Sequence, residues 1–177
     1  YKNDGRKTER RPYFEPWEYR KLHLTLRRLA KQTTKDPKVG GLKNRSIQIR
    51  ELLRDYVLIL ANTGIRHGSE SLNLRWCNIS EERYNGESYI QIKIERGKTG
   101  SRLVIARHAT KRYLERIKSR FPDLKNLSFN ELAKIDLPVF RLADGSMPSD
   151  FHGSFEIVLN KCGLLFDRQG RRRSLYS

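Results

Sequence analysis

The stretch YIQIKIERGKTGSRLVIA, residues 89–106, decides the fold class of this chain. Isoleucine occupies every second position from residue 90 to residue 94, and this period of two predicts a strand with one buried face. Residues 102–106 alternate in the same way and predict a second strand. A glycine-flanked turn, residues 96–101, joins the two strands, so the stretch predicts an antiparallel hairpin.

The sequence before the hairpin predicts helices and one more strand. Pro16 suits a first helical turn, and an apolar stripe with a basic opposite side follows it. A wider apolar face from about Ser46 to Asn62 predicts a buried helix that ends at Thr63-Gly64. We expect a short helix after it, ending near Trp76. Residues 77–83 predict a third strand before the Asn85-Gly86 turn.

Helical periodicity returns after the hairpin. One apolar stripe over residues 113–121 predicts a helix that Pro122 terminates. Another, over residues 151–162, predicts a helix that Ser149 caps and Gly163 closes. The chain is therefore expected to be mainly α with a small antiparallel β-sheet, an α+β fold in one domain over residues 15–177. Residues 1–14 carry five cations against two acids, a net +3, and are expected to be a basic arm or linker.

The composition narrows the class of protein. Among 177 residues, 37 Lys and Arg stand against 20 Asp and Glu, a formal net charge of +17. No run of 18 apolar residues predicts a membrane span, residues 1–15 have no apolar signal segment, and two Cys fit a reducing compartment. The charge predicts a polyanionic partner, with nucleic acid first. Charge alone leaves an enzyme acting on DNA, an RNA binder and a membrane-surface protein open.

Several chemistries have no support in the sequence. The four histidines, His23, His67, His108 and His152, lie far apart and form no metal-binding spacing, so a structural role is expected for each. Gly97-Lys98-Thr99 lacks the upstream glycine of a nucleotide-binding P-loop. No cluster of carboxylates offers the ligands of a metal-dependent nuclease. We therefore expect no metal and no cofactor.

Two cations remain as candidates, each with two interpretations. Arg66 follows a buried helix, so it either pairs with Glu70 at the edge of the core or is held rigidly at a helix N-terminus to bind an anion. Lys98 lies at the hairpin tip, where it is either an ordinary solvated lysine or a mobile cation that reaches a phosphate oxygen.

These residues lie in two motifs of a known family. Residues 61–79, ANTGIRHGSESLNLRWCNI, resemble the first signature box of the tyrosine recombinases, the phage-integrase family, which reads T-G-x-R, a glutamate and L-x-W-x-x-I. Residues 98–102, KTGSR, resemble the K-T-G-x-x-R turn in which that family carries its catalytic lysine. The chain departs from the family in one respect here, because Arg66 and Glu70 are four positions apart where many members have three.

The resemblance implies a fold like that of the tyrosine-recombinase catalytic domain and a specific chemistry. That chemistry is site-specific cleavage and rejoining of DNA through a 3′-phosphotyrosyl intermediate, without metal or cofactor. Arg66 would hold the non-bridging oxygens, Lys98 would protonate the leaving 5′-oxygen, and Glu70 would orient Arg66. The implied partners are double-stranded attachment sites and, for the full protein, three further copies in a tetramer. The implied location is the cytoplasm of a bacterial cell, encoded by a phage or prophage.

The family's second box, H-x-x-R, and its nucleophilic tyrosine are expected after a helix such as residues 151–162. Residues 171–177, RRRSLYS, resemble the approach to that box, and Tyr176 stands where the family usually has the first histidine. We therefore expect residues 15–177 to be a catalytic domain truncated before both features, inactive alone and monomeric. Two alternatives stay open: a DNA-binding module without chemistry, and a basic RNA-binding protein.

Overall fold

The computed structural model describes residues 11–32, 41–97, 100–148 and 151–177. In these ranges the chain is a mixed α+β protein with five α-helices and a three-stranded antiparallel sheet. The helices are α1 (Pro16–Gln32), α2 (Gly41–Thr63), α3 (Ala109–Lys118), α4 (Phe129–Leu132) and α5 (His152–Lys161). The strands are β1 (Ile79–Tyr84), β2 (Glu87–Gly97) and β3 (Gly100–Ile105). The predicted α+β class is confirmed. The predicted arm lies mostly outside the described residues.

Helix α2 is the centre of the helical layer, since it contacts α1, α3 and α5. Its wide apolar face explains this position, because Leu52, Leu53, Tyr56 and Leu58 are almost completely buried. The helix ends as predicted at Thr63, and Gly64 follows with a φ of +67°, the left-handed conformation that glycine adopts without strain. The end of α2 therefore has a defined geometry.

The sheet has the order β1-β2-β3, and both pairings are antiparallel. All three isoleucines of β2 that the alternation predicted to be buried lie in the core. In β3 the buried residues are Val104 and Ala106, whereas Leu103 and Ile105 face solvent. Asn85 and Gly86 both have positive φ angles and form the tight turn between β1 and β2. The predicted hairpins are thus present.

Three local predictions are wrong or incomplete. The short helix expected after α2, ending near Trp76, does not form. Residues 67–73 form hydrogen-bonded turns instead, Gly68 has a φ of +91°, which no right-handed helix accommodates, and a three-residue 3₁₀ helix, Trp76–Asn78, begins only afterwards. Helix α3 ends at Lys118 rather than at Phe121, and turns complete the segment. Phe151, not Ser149, occupies the N-cap of α5 and makes no side-chain capping bond, while Ser149 lies outside the described residues. None of the described helices is long and apolar enough to span a bilayer.

Candidate functional site

Arg66 lies on the loop directly after α2. Ile65 is buried and anchors this loop in the core, while the side chain of Arg66 is 49% exposed. Thr63 stabilises the turn because its hydroxyl donates to the Ile59 carbonyl at 2.7 Å and accepts from the Ile65 amide at 3.3 Å. The guanidinium is thus presented to solvent from a fixed backbone. Since turns and not a helix come directly after Arg66, the expected helix dipole does not contribute at this position.

Glu70 organises the site around one buried carboxylate. Its side chain has no exposed surface, and it accepts from the Arg66 amide at 3.0 Å and from the Arg66 guanidinium at 3.5 Å. Its closest partner is Arg102, whose Nη2 donates to Oε2 at 2.7 Å. Burial alone would raise the pKa of Glu70, but the hydrogen bonds from Arg66 and Arg102, with the charges of both arginines, hold that pKa below its usual range. The carboxylate therefore stays ionised.

The β2–β3 hairpin is in direct contact with this carboxylate. Arg102 of β3 also donates to the Gly64 carbonyl at 3.4 Å. A Cβ at Gly97 would lie 3.0 Å from Glu70 Oε1 and 2.8 Å from the Gly100 carbonyl oxygen, so only glycine fits at the end of β2. Lys98, the predicted catalytic lysine, lies outside the described residues, although its neighbours Gly97 and Gly100 lie at the site. The ion pair of Arg66 with Glu70 is present, and Glu70 is shared with Arg102.

Tyr176 also lies beside the Arg66 loop. Its ring centroid is 5.1 Å from that of His67, and its hydroxyl would be 3.2 Å from a Cβ at Gly68. The guanidinium of Arg11 lies over the same ring at 5.3 Å. Arg11, Arg66 and Tyr176 line one cleft of about 290 Å³, a volume that admits a phosphate group. The fold thus brings Arg66, Glu70 and Tyr176 into one region.

The fold joins two of the four histidines, which the sequence had placed far apart. The Nε2 atoms of His67 and His152 are 3.2 Å apart. His67 Nδ1 lies 2.6 Å from the hydroxyl of Tyr56, which is also 2.6 Å from the Ser71 hydroxyl. Burial raises the pKa of Tyr56 to about 12, so this phenol stays protonated. No pattern in the sequence could have shown this network, because 85 residues separate the two imidazoles.

The described residues contain no group of three or more His, Cys, Asp or Glu that could hold a metal ion. What the site offers instead is positive charge: the guanidinium groups of Arg66 and Arg102 surround a single carboxylate, with Arg11 nearby. A planar guanidinium donates two parallel hydrogen bonds to a phosphate, so this arrangement is suited to an oxyanion. Arg102 and Arg11 are the cations to which sequence reasoning assigned no role, although Arg102 belongs to the quoted KTGSR motif.

Comparison of the chain with protein-family models, with curated proteins and with solved structures returns no match.

Proposed function

We propose that this chain is the catalytic core of a tyrosine-type site-specific DNA recombinase, with the fold of that family's catalytic domain. The observation that carries the proposal is the bond between the two sequence motifs. Glu70 of the first motif accepts from Arg102 of the second at 2.7 Å, although 32 residues separate them. Two motifs that resemble one family in sequence therefore form one cationic site in space.

In the proposed reaction a tyrosine hydroxyl loses its proton to water as its oxygen attacks the scissile phosphorus, and the bond from phosphorus to the 5′-oxygen breaks. Lys98 gives its proton to that 5′-oxygen, and the phosphate becomes a 3′-phosphotyrosyl ester. Rejoining is the reverse reaction with a new 5′-hydroxyl, so no external energy source is needed. Negative charge grows on the non-bridging oxygens in the transition state, and Arg66 is positioned to stabilise it.

The proposed setting follows from the resemblance. The substrate is double-stranded DNA at an attachment site, and the working assembly is a tetramer in the cytoplasm of a bacterial cell. A net charge of +17 supports a polyanionic substrate.

The test is covalent capture on a DNA duplex with a nick beside the cleavage site, which traps the phosphotyrosyl intermediate. We expect the full-length protein to form the adduct and the Arg66→Ala variant to form it about 10²–10³-fold more slowly. The matched control is Arg83→Ala, which removes an exposed arginine from the far end of β1. A full-length protein that binds duplex DNA but never forms an adduct would instead be a DNA-binding module without chemistry. Preference for structured RNA over duplex DNA would contradict both assignments.

A further inference from the structure

A second basic surface surrounds the half-buried His23 of α1. Its members, which we call the α1–α3 arginine surface, come from three helices: Arg27 of α1, Arg54 of α2, and Arg112 and Arg116 of α3. Burial and then the charges of Arg116, Arg27, Arg112 and Arg54 lower the pKa of His23, as a positive potential at this position requires. Four arginines from three helices therefore act on one position of α1.

The nearby carboxylates do not balance this charge. Asp55 is fully buried and pairs with Arg54, Arg116 and Arg120 at once. Glu51 is the other acid close to Arg120. The four arginines of the surface and Arg120 thus carry five positive charges against two negative ones. Arg27 and Arg112 are exposed and form no ion pair with a carboxylate of the described residues.

Two arginines of the surface, Arg112 and Arg116, are held in place by their neighbours. Arg112 and Arg116 lie over the ring of Tyr113, at 5.8 and 5.1 Å from its centroid. Arg116 is further fixed by its Nε bond to Asp55 at 2.9 Å. An excess of like charges on neighbouring helices does not stabilise the fold, because the charges repel one another. A preorganised cationic surface of this kind is suited to binding a multivalent anion.

The surface lies along α2, the helix whose end leads to Arg66. Helix α3 runs antiparallel to α2, since the Arg107 amide donates to the Asn62 carbonyl while Arg116 reaches Asp55. The seven residue steps from Asp55 to Asn62 rise about 10 Å along the helix, at about 1.5 Å per step. Successive phosphates of one strand rise by about 3.4 Å along the duplex axis. A duplex that runs along α2 with one phosphate at Arg66 would therefore place further phosphates of the same strand, about three nucleotides away, at the level of the surface.

We propose that the α1–α3 arginine surface binds the sugar–phosphate backbone of the duplex that flanks the phosphate held at Arg66. The inference rests on the proposed function for the identity of the duplex as substrate. The surface contributes affinity and register without touching the reacting phosphate, so its arginines are positioning residues.

The first measurement is duplex binding by fluorescence anisotropy over a range of salt concentrations. We expect the double variant Arg27→Ala/Arg112→Ala to lower the magnitude of the slope of log K against log salt by about 1.8, because about 0.9 is lost per phosphate contact. The matched control Arg83→Ala/Arg168→Ala removes two exposed arginines from other surfaces and should leave the slope unchanged. Equal slopes for the two double variants would overturn the proposal.

The second measurement follows the His23 imidazole by NMR during a pH titration, with and without a 20-base-pair duplex. Phosphates that neutralise the arginines should raise the pKa of His23 in the wild type, and should raise it less in Arg27→Ala/Arg112→Ala. An unchanged His23 pKa at saturating duplex would contradict the proposal. A larger rise with an RNA hairpin than with the duplex, at tighter affinity, would also contradict it.

The two proposals fail separately. If Arg66→Ala slows adduct formation but Arg27→Ala/Arg112→Ala leaves the salt slope unchanged, the recombinase assignment stands and the role of the α1–α3 arginine surface is rejected. If the salt slope changes as expected but the full-length protein never forms an adduct, the surface still binds DNA and the recombinase assignment is rejected.

Discussion

At the scale of the residue, the buried side chain of Glu70 links two separate elements of the candidate site. It is buried, it stays ionised, and it is the shared acceptor for an arginine on the loop after α2 and an arginine on β3. The two arginines use it differently. Arg102 makes a short bond of 2.7 Å, whereas the guanidinium of Arg66 lies at 3.5 Å and remains half exposed.

This difference predicts opposite effects of two alanine variants. Arg102→Ala should lower the free energy of unfolding by about 1–3 kcal/mol, because it removes the closest partner of a buried carboxylate. Arg66→Ala should change that free energy by less than about 1 kcal/mol, as for other exposed ion pairs, while it slows the proposed adduct formation about 10²–10³-fold. Urea unfolding of both variants measures which of them loses more free energy of unfolding. A collapse of stability in Arg66→Ala would show that the arginine serves mainly as a core-edge ion pair.

The depressed pKa of Glu70 also predicts a pH dependence. A carboxylate whose pKa is lower in the folded state stabilises the fold above its unfolded pKa of about 4.3, and this contribution is lost as pH falls through the folded pKa. Glu70→Gln should therefore be less stable than the wild type at pH 7, and the difference should shrink under acid conditions. Urea unfolding between pH 7 and pH 3 measures it. Glu87→Gln, an exposed carboxylate at the start of β2, should leave the pH profile unchanged.

At the scale of the elements, the end of α2 positions the site. Gly64 stops the helix, Ile65 anchors the loop in the core, and Arg66 follows at once. On the other side, the carboxylate of Asp55 fastens α2 to α3 through Arg116 and Arg120. The position of Arg66 relative to the hairpin therefore depends on a helix end whose backbone conformation favours glycine.

Two glycines with open surroundings provide a matched test of this helix end. A Cβ at Gly64 or at Gly153 meets no atom within 4 Å, but only Gly64 has a positive φ. Gly64→Ala should cost about 1–2 kcal/mol through backbone strain. Gly153→Ala, inside α5, should stabilise the protein by about 0.4–1 kcal/mol because alanine restricts the unfolded chain. Thermal unfolding of the two variants measures both effects, and equal changes would contradict the assigned cap.

At the scale of the whole molecule, Arg173 connects the two ends of the described chain. Its guanidinium is buried and donates to Glu18 at 2.6 Å, to the Tyr13 carbonyl at 3.0 Å, and to the carbonyls of Leu164 and Phe166. The segment that carries Tyr176 is thereby fixed to α1. The position of Tyr176 beside the Arg66 loop depends on this connection.

Removal of that guanidinium should be costly because it leaves Glu18 buried without its partner. Arg173→Ala is expected to lower the free energy of unfolding by about 3–5 kcal/mol. The free energy of unfolding of Arg173→Lys should lie between those of Arg173→Ala and the wild type, since an ammonium keeps the charge but not the planar set of donors. Hydrogen exchange should quicken together in the first turn of α1 and in residues 164–175. Faster exchange in only one of these segments would show that they are not coupled through Arg173.

The elements of the fold could be predicted from the sequence because their signals are local. The alternation around β2, the turn at Asn85-Gly86 and the apolar face of α2 each depend on neighbours a few residues apart. The one expected helix that is absent shows the limit of such signals. Leucines at suitable spacing after Gly68 resembled a helix, but the left-handed backbone at that glycine and the buried contacts of Leu74 and Trp76 favoured turns.

The sequence by itself determined the α+β class and the order of the elements. It also indicated one candidate cation in each of the two motifs. Only the tertiary structure decided that Glu70 meets Arg102, that His67 meets His152 and that Arg173 meets Glu18. These partners lie 32, 85 and 155 residues apart. A periodic pattern fixes which face of an element is buried, but it does not encode which distant polar group that face will meet. That choice depends on how the helices and the sheet pack around one shared core.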